Sequence, residues 1–267
     1  MRASVLAGFG PFTASFEGRL GYMYTDVKGL VTTGVGNLID PIGAALGLPW
    51  KHLDGSPADD AAITQEWNTV KNAWPGVQSV ACKSITQLHL DPADVDALVA
   101  SKARQNEDTI RSQFPEYDNW PADAQLAIHS MAWAQGASFA GWPHLKVALL
   151  ASPPDFGTAA GPRAADGTDG DAGSDTSLRG QAWLNDSGNP GLRPRNLANR
   201  KLFLNAAVVT SNGLDLEGLN WPNLLDAGAS SGASGGGLVA SVPGPLLWIG
   251  GIALALAGGA FLLMRRA

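Results

Sequence analysis

The most constraining feature of the sequence is a long stretch without charge near its C-terminal end. No charged residue occurs in residues 227–264, and two arginines follow at once. The first half of the stretch is rich in Gly, Ser and Ala, and such a composition buries too little apolar surface to fold alone. The chain is therefore expected to divide into a folded N-terminal part, a linker over residues 213–244 and an apolar tail.

The tail, residues 245–264, predicts a transmembrane helix. It comprises 20 uncharged residues, which as a helix rising about 1.5 Å per residue would cover the roughly 30 Å hydrocarbon core of a bilayer. A buried core helix is the alternative. Arg265 and Arg266 would lie on the cytoplasmic side by the positive-inside rule, so the folded part would face outward.

The remaining composition excludes several classes of site and partner. The chain carries 18 Lys and Arg against 24 Asp and Glu, a net charge of −6, so it lacks the basic surface that binds nucleic acid. Its one cysteine, Cys82, cannot form an internal disulfide, and the four histidines show no metal-ligand spacing. We therefore predict no nucleic-acid partner, no metal and no cofactor.

Local patterns predict an α+β domain, mostly helical, with one small β-hairpin. Residues 3–17 favour a short helix, and the segment after it combines Tyr, Val and Thr with glycines around a turn at residues 26–29. Ser56 and Asp91 each precede a proline and an acidic residue, which predicts a capped helix start at both positions. One hairpin followed by several helices is typical of an α+β fold.

The predicted domain is residues 1–212, with a flexible insertion at residues 152–190. The insertion is rich in Gly, Asp, Ala and Ser, and such segments are more often solvated loops than packed elements.

Two carboxylates and a hydroxyl are the candidate chemical groups. Hydrolysis of a glycosidic bond needs a proton donor for the leaving oxygen and a carboxylate that activates water or stabilises the sugar cation. Glu17 would end the first helix and Asp26 would lie in the hairpin turn, so a chain that reverses between them brings both to one cleft. Thr32 would lie on the second strand, where its hydroxyl can share a water with Asp26.

A longer set of residues around these three carries a family resemblance. Eight residues separate Glu17 from Asp26, and five separate Asp26 from Thr32. The chain resembles, over roughly residues 1–210, the phage-type lysozymes, the glycoside hydrolase family of the T-even coliphage lysozyme, whose catalytic residues have this spacing. The residues that carry the resemblance are Glu17, Gly18, Tyr24, Asp26, Gly29, Thr32, Gly34 and Gly36.

The resemblance implies a lysozyme-like domain with muramidase activity. It implies that Glu17 is the general acid and that Asp26 and Thr32 position the attacking water. The substrate would be the β-1,4 bond between N-acetylmuramic acid and N-acetylglucosamine in peptidoglycan. The supporting or substrate-binding residues that it implies are Arg195, which matches an arginine paired with the acid, Tyr24 and Gly34.

The resemblance also implies a phage setting. The chain would reside in a phage particle, or at the host inner membrane with its catalytic domain facing the periplasm. Its partners would be peptidoglycan, the membrane through the C-terminal helix, and either phage structural proteins or a second copy of that helix.

Other interpretations remain open. Glu17 could be a solvated helix-end carboxylate, Asp26 an ordinary turn residue and Thr32 a residue chosen for its strand propensity. The domain could be a wall-binding part of a phage particle with weak or no activity, or an endolysin that its C-terminal helix holds inactive. The sequence departs from the family at Asn37, where a histidine is usual, and at Ala134, where a polar residue is common.

Overall fold

The computed structural model describes residues 1–161 and 193–225, and this part of the chain is α+β. The helices are α1 (Ala3–Glu17), α2 (Gly43–Leu46), α3 (Asp60–Ala73), α4 (Pro92–Gln113), α5 (Ala122–Gln135), α6 (Pro143–Leu150), α7 (Phe156–Ala159) and α8 (Arg193–Ser211). The strands are β1 (Leu20–Thr25), β2 (Val31–Gly34), β3 (Asn37–Leu38), β4 (Lys51–His52) and β5 (Leu88–His89). Short 3₁₀ helices cover Ser79–Ile85 and Tyr117–Asn119.

The main sheet is antiparallel, with the order β1-β2-β3. Tyr24 lies opposite Thr32 across the first pair of strands, and Leu20 lies opposite Gly34. The prediction of a single hairpin is therefore too simple, because the sheet has a third strand and a separate ladder joins β4 and β5. These extra strands are two residues long each, which is too short to show the alternation that marks a strand in sequence.

Helix α5 lies at the centre of the core. All of its residues from 122 to 132 are buried, and it packs against α1, α4 and α8. A helix that is covered on every side is apolar on most of its surface. Its polar residues that are buried need partners, and one of them, Gln125, donates to the backbone carbonyl of Tyr117 at 3.0 Å.

The two predicted helix starts have different outcomes. Pro92 is the first residue of α4, as the proline after Asp91 predicts, but the Asp91 carboxylate makes no capping hydrogen bond and pairs with Lys51 instead. Before α3, the capping residue is Asp59, whose carboxylate accepts the Ala62 N–H at 2.8 Å. Ser56 is not the cap, because its backbone carbonyl accepts the His52 N–H at 2.8 Å and keeps this segment beside β4.

The predicted fold class is wrong in its C-terminal transmembrane helix. Within residues 1–161 and 193–225, no helix is both long enough and apolar enough to cross a membrane. Helix α4 has 22 residues but carries charges along its length, and the apolar α1 has only 15. The predicted span itself, residues 245–264, lies outside the described residues. The described part of the chain is α+β, mostly helical, with a small antiparallel sheet.

The start of the predicted insertion is folded. Residues 152–161 include α7, whose first turn is capped by Asp155: its carboxylate accepts the Thr158 N–H at 2.8 Å. The ring of Phe156 lies edge-on to Trp120 with centroids 5.7 Å apart. The rest of the insertion, from residue 162 to residue 190, lies outside the described residues.

Residues after α8, placed in the linker by the sequence, dock on the helical core. The carboxylate of Asp123 is fully buried and accepts hydrogen bonds from the Asn205 side chain at 3.0 Å and from the Asn220 backbone and side chain at 3.1 and 2.9 Å. Burial raises the pKa of Asp123, while these hydrogen bonds oppose the shift. Further along, the Leu225 N–H donates to the Asn205 side-chain oxygen at 2.9 Å, so residues 212–225 are fastened to the domain.

The same segment contacts α1. The Ser4 hydroxyl donates to the Glu217 backbone carbonyl at 2.6 Å, and the rings of Phe12 and Trp221 meet edge-to-face with centroids 4.9 Å apart. Helix α1 therefore packs between α5 and the chain that follows α8.

We predict that Asp123→Ala lowers the free energy of unfolding by about 3 kcal/mol, because buried donors on Asn205 and Asn220 lose their acceptor. Urea denaturation measures the change. Asp118→Ala is the matched control, since Asp118 pairs with Arg111 at 2.8 Å but its side chain is 63% exposed. That control should lose less than about 1 kcal/mol, and equal losses in the two variants would contradict the role assigned to Asp123.

Candidate active site

Glu17 is the last residue of α1, and its position depends on how that helix ends. Gly18 has φ of 75°, in the region that favours glycine. Its N–H donates to the Ala14 carbonyl at 3.0 Å, and the chain then turns into β1. This ending leaves the Glu17 side chain at the edge of the core, 34% exposed.

Arg195 forms an ion pair with Glu17. Its Nη2 lies 2.7 Å from Glu17 Oε1, and its side chain is only 1% exposed. The guanidinium also lies 5.4 Å from the ring centre of Phe16 and donates to the Ser130 backbone carbonyl at 3.4 Å. Burial lowers the pKa of Arg195, and the charge of Glu17 opposes that shift. The contact predicted between these two residues is present, and it joins α1, α5 and α8.

The β1–β2 hairpin carries the other predicted residues. Tyr24 and Thr32 are direct partners in the β1–β2 register, so their side chains share one face. Gly34 ends β2 with φ of 65°, beyond a shift in the register of the two strands. Asp26 follows β1 two residues after Tyr24 and begins the connecting turn. Thr32 is 5% exposed, and its hydroxyl donates to the Leu30 carbonyl at 3.1 Å.

The carboxylate of Asp26 is held by its own turn. Its Oδ1 accepts the N–H groups of Lys28 and Leu30, each at 2.8 Å. The backbone closes the same turn, because Asp26 N–H donates to the Leu30 carbonyl and Gly29 N–H donates to the Asp26 carbonyl, both at 3.0 Å. Both side-chain bonds use Oδ1, so they fix the direction of the carboxylate and leave Oδ2 outside the turn.

Tyr24 is a buried residue of β1 that lies two residues before Asp26. Burial raises the pKa of the Tyr24 phenol, and the negative charges of Glu17 and, less strongly, Asp26 raise it further, while a backbone hydrogen bond from Gly36 acts against the rise. The phenol is therefore neutral at physiological pH. An acid, a second carboxylate and a hydroxyl around one sheet face are the groups that acid–base hydrolysis requires.

The turn between β2 and β3 lies against Glu17, and its supporting residues were missed by sequence reasoning. A Cβ on Gly36 would lie 3.6 Å from Glu17 Oε2. Trp133, on α5, donates from Nε1 to the Val35 carbonyl at 3.1 Å. Asn37, which departs from the family pattern, accepts the Val35 N–H through Oδ1 at 3.2 Å. A side-chain bond to a backbone group two residues away is a local turn feature, and this is the signal that could have identified Asn37.

In the part of the chain that is described, no group of three His, Cys, Asp or Glu residues could hold a metal ion. Among the histidines, His129 is buried in α5, where its Nε2 lies 2.8 Å from the Tyr117 hydroxyl. Burial lowers the pKa of His129 to about 3, so this imidazole is neutral at physiological pH and acts as a core residue.

A separate groove with a volume of about 410 Å³ lies between α1 and α4 and does not contain the candidate residues. Its lining is mostly apolar, with the ion pair between Arg19 and Asp96 at its edge. It lacks the pair of carboxylates that would make it a rival site. The candidate site is therefore defined by Glu17, Asp26 and the sheet face between them.

Comparison with known proteins adds no relative. No model of a known protein family matches the chain, and no curated protein matches it significantly.

We predict that Gly34→Ala destabilises the protein more than Gly36→Ala. Both glycines have positive φ, 65° and 75°, so any Cβ costs about 1–2 kcal/mol of backbone strain. At Gly34 the new Cβ would also lie 2.9 Å from Asn37 Oδ1, which would have to release the Val35 N–H. We expect about 1 kcal/mol of additional loss in thermal or urea unfolding. The same stability in both variants would show that the Asn37 bond contributes nothing.

We predict an asymmetry when the ion pair is broken. Glu17→Gln leaves a buried guanidinium without its counter-charge, and the free energy of unfolding should fall by about 2 kcal/mol. Arg195→Met removes the buried charge itself, and the half-exposed Glu17 carboxylate can then be solvated, so stability should change by less than about 1 kcal/mol. Urea denaturation at pH 7 compares the two, and the opposite order would contradict the burial of Arg195 as the controlling factor.

Proposed function

We propose that the chain is a peptidoglycan hydrolase, a muramidase that cleaves the β-1,4 bond between N-acetylmuramic acid and N-acetylglucosamine. The observation that carries the proposal is the position of the two carboxylates at the two turns of one sheet: Glu17, paired with Arg195, lies against Gly36 of the β2–β3 turn, and Asp26 lies in the β1–β2 turn. The spacing of Glu17, Asp26 and Thr32 resembles that of the phage-type lysozymes, and this resemblance indicates the substrate.

Glu17 serves as the general acid in this proposal. Arg195 binds Oε1 at 2.7 Å, while Oε2 lies on the side of Gly36. Proton donation to the glycosidic oxygen proceeds from Oε2, because a general acid must reach the leaving oxygen within hydrogen-bond distance. Arg195 fixes the orientation of the carboxyl group, and Gly36 approaches its other side closely, where a Cβ would already be 3.6 Å from Oε2.

Asp26 and Thr32 hold the attacking water. Asp26 Oδ1 is committed to its turn, so Oδ2 accepts a hydrogen from the water and assists the removal of its proton. The Thr32 hydroxyl donates to Leu30, which leaves its oxygen lone pairs to accept the second hydrogen of the same water. Tyr24, which lies opposite Thr32 across the two strands, stays protonated.

The family resemblance extends the proposal to a phage setting. The enzyme would act from a phage particle during entry or on the periplasmic wall during lysis, with peptidoglycan as its main partner and phage structural proteins as the next. The alternative is a wall-binding component without activity, and the experiment below distinguishes it.

We predict that the full-length protein clears suspensions of purified cell walls and that Glu17→Gln lowers the rate by about 10²–10⁴-fold, the range of general acid catalysis. The turbidity of the suspension gives the rate, and mass spectrometry of the products identifies the bond cleaved. Measurements are made below the melting temperature of Glu17→Gln, because this variant is expected to be less stable.

Glu116→Gln is the matched control, since Glu116 is an exposed carboxylate whose recorded partner is the Asn119 side chain. It should retain the parental rate. Full activity in Glu17→Gln would remove Glu17 as the acid. A parent protein that sediments with the walls but does not cleave them would favour the wall-binding alternative.

A further inference from the structure

The turn that carries Asp26 projects from the sheet. Residues 26–30 connect β1 to β2, and Val27 near the tip is 77% exposed. A turn with so little of its own core is free to move unless other elements hold it. A movement there changes the position of Asp26 directly and that of Thr32 through β2.

A lysine from α3 reaches this turn. Lys71 Nζ donates to the Gly29 carbonyl at 2.8 Å and to Asp40 Oδ2 at 2.5 Å. The same Asp40 oxygen accepts the Val31 N–H at 3.2 Å. The lysine and the aspartate thus bind the backbone at the end of the turn and at the first residue of β2.

Close packing by α3 adds to these bonds. Trp74 directly follows α3, and its indole lies over Gly29. A Cβ added to Gly29 would be 2.8 Å from the indole atom Cδ2. Gly29 also has φ of 74°, so its conformation and its contact with the indole both require glycine. The turn is therefore held on one side by its own hydrogen bonds and on the other by α3.

We propose that Lys71 and Asp40 are positioning residues for Asp26 and Thr32, an inference that rests on the proposed hydrolase activity. They act through the backbone. Lys71 holds Gly29, whose N–H donates to the Asp26 carbonyl at 3.0 Å, and Asp40 holds Val31, which precedes Thr32 in the chain. A shift of about 1 Å in a catalytic group is enough to reduce a rate by about 100-fold.

The ion pair is suited to this role because it is only partly solvated. The Lys71 side chain is 34% exposed and that of Asp40 is 15% exposed, so the pair is screened less by water than a surface pair would be. Each partner also bonds a backbone group of the turn or of β2. Loss of the Lys71–Asp40 pair therefore removes the hydrogen bonds that hold the turn, in addition to a charge.

The test compares Lys71→Met with Lys51→Met in the full-length protein. Lys51 is a matched control, because its side chain is also 34% exposed and it pairs with an aspartate, Asp91, but it lies on β4 away from the turn. We expect kcat on soluble peptidoglycan chains to fall by about 10- to 100-fold in Lys71→Met with KM changed less than 3-fold. Lys51→Met should match the parent.

Two further measurements separate positioning from a general loss of structure. Lys71→Arg should recover most of kcat, because a guanidinium can donate to both Gly29 and Asp40. Amide hydrogen exchange at Lys28 and Leu30, whose N–H groups bind Asp26 Oδ1, should accelerate at least 5-fold in Lys71→Met while exchange in α5 stays at the parental rate. Asp40→Asn, which keeps an acceptor for Val31, should show a smaller effect of the same kind.

The outcomes are distinct. If Lys71→Met keeps the parental kcat, or if Lys28 and Leu30 exchange at the parental rate, the positioning role is overturned. A loss of kcat in Lys51→Met equal to that in Lys71→Met also overturns it, because the effect then belongs to any paired lysine. A parent that does not cleave peptidoglycan overturns the proposed function instead, and the exchange rates still decide whether the lysine holds the turn.

Discussion

A guanidinium that is 1% exposed needs a negative partner, because an unpaired charge in the core costs several kcal/mol. Arg195 finds this partner in Glu17, 178 residues earlier in the chain. The pair links α8 to the last residue of α1 and orients the Glu17 side chain. Since α5 supplies the Ser130 carbonyl to the same guanidinium, the ion pair joins three helices.

The sheet depends on the helices in a similar way. Trp133 on α5 holds the turn between β2 and β3 through the Val35 carbonyl, and Lys71 on α3 holds the turn between β1 and β2 through the Gly29 carbonyl. Three short strands have little core of their own. Both turns of the sheet are thus held by side chains from helices. The relative position of the two candidate carboxylates therefore depends on the relative position of the helices.

The residues that could be identified from the sequence are those whose local chemistry is distinctive. The α+β class, the end of α1 at Glu17 and the turn at Asp26 were predicted from residue types and spacing, and the Glu17–Arg195 contact from the resemblance to the phage-type lysozymes, whereas the roles of these residues stay predictions. The Lys71 contacts were not found, because a lysine on an amphipathic helix looks like a solvated one and its acceptors lie 42 and 31 residues away. A backbone carbonyl that accepts a hydrogen bond leaves no trace in the sequence. Ser56 was misread as a cap for a related reason, since its backbone is bonded to β4.

The docking of residues 212–225 extends the folded unit at least to Leu225. A fragment that stops at residue 212 would leave the Asp123 carboxylate without Asn220 and would uncover the Phe12 ring that Trp221 packs against. Phe12 lies on α1, so the loss would also loosen the helix that presents Glu17. Any shortened version of this protein intended to retain the site therefore has to extend at least to Leu225, whose N–H bonds Asn205 on α8.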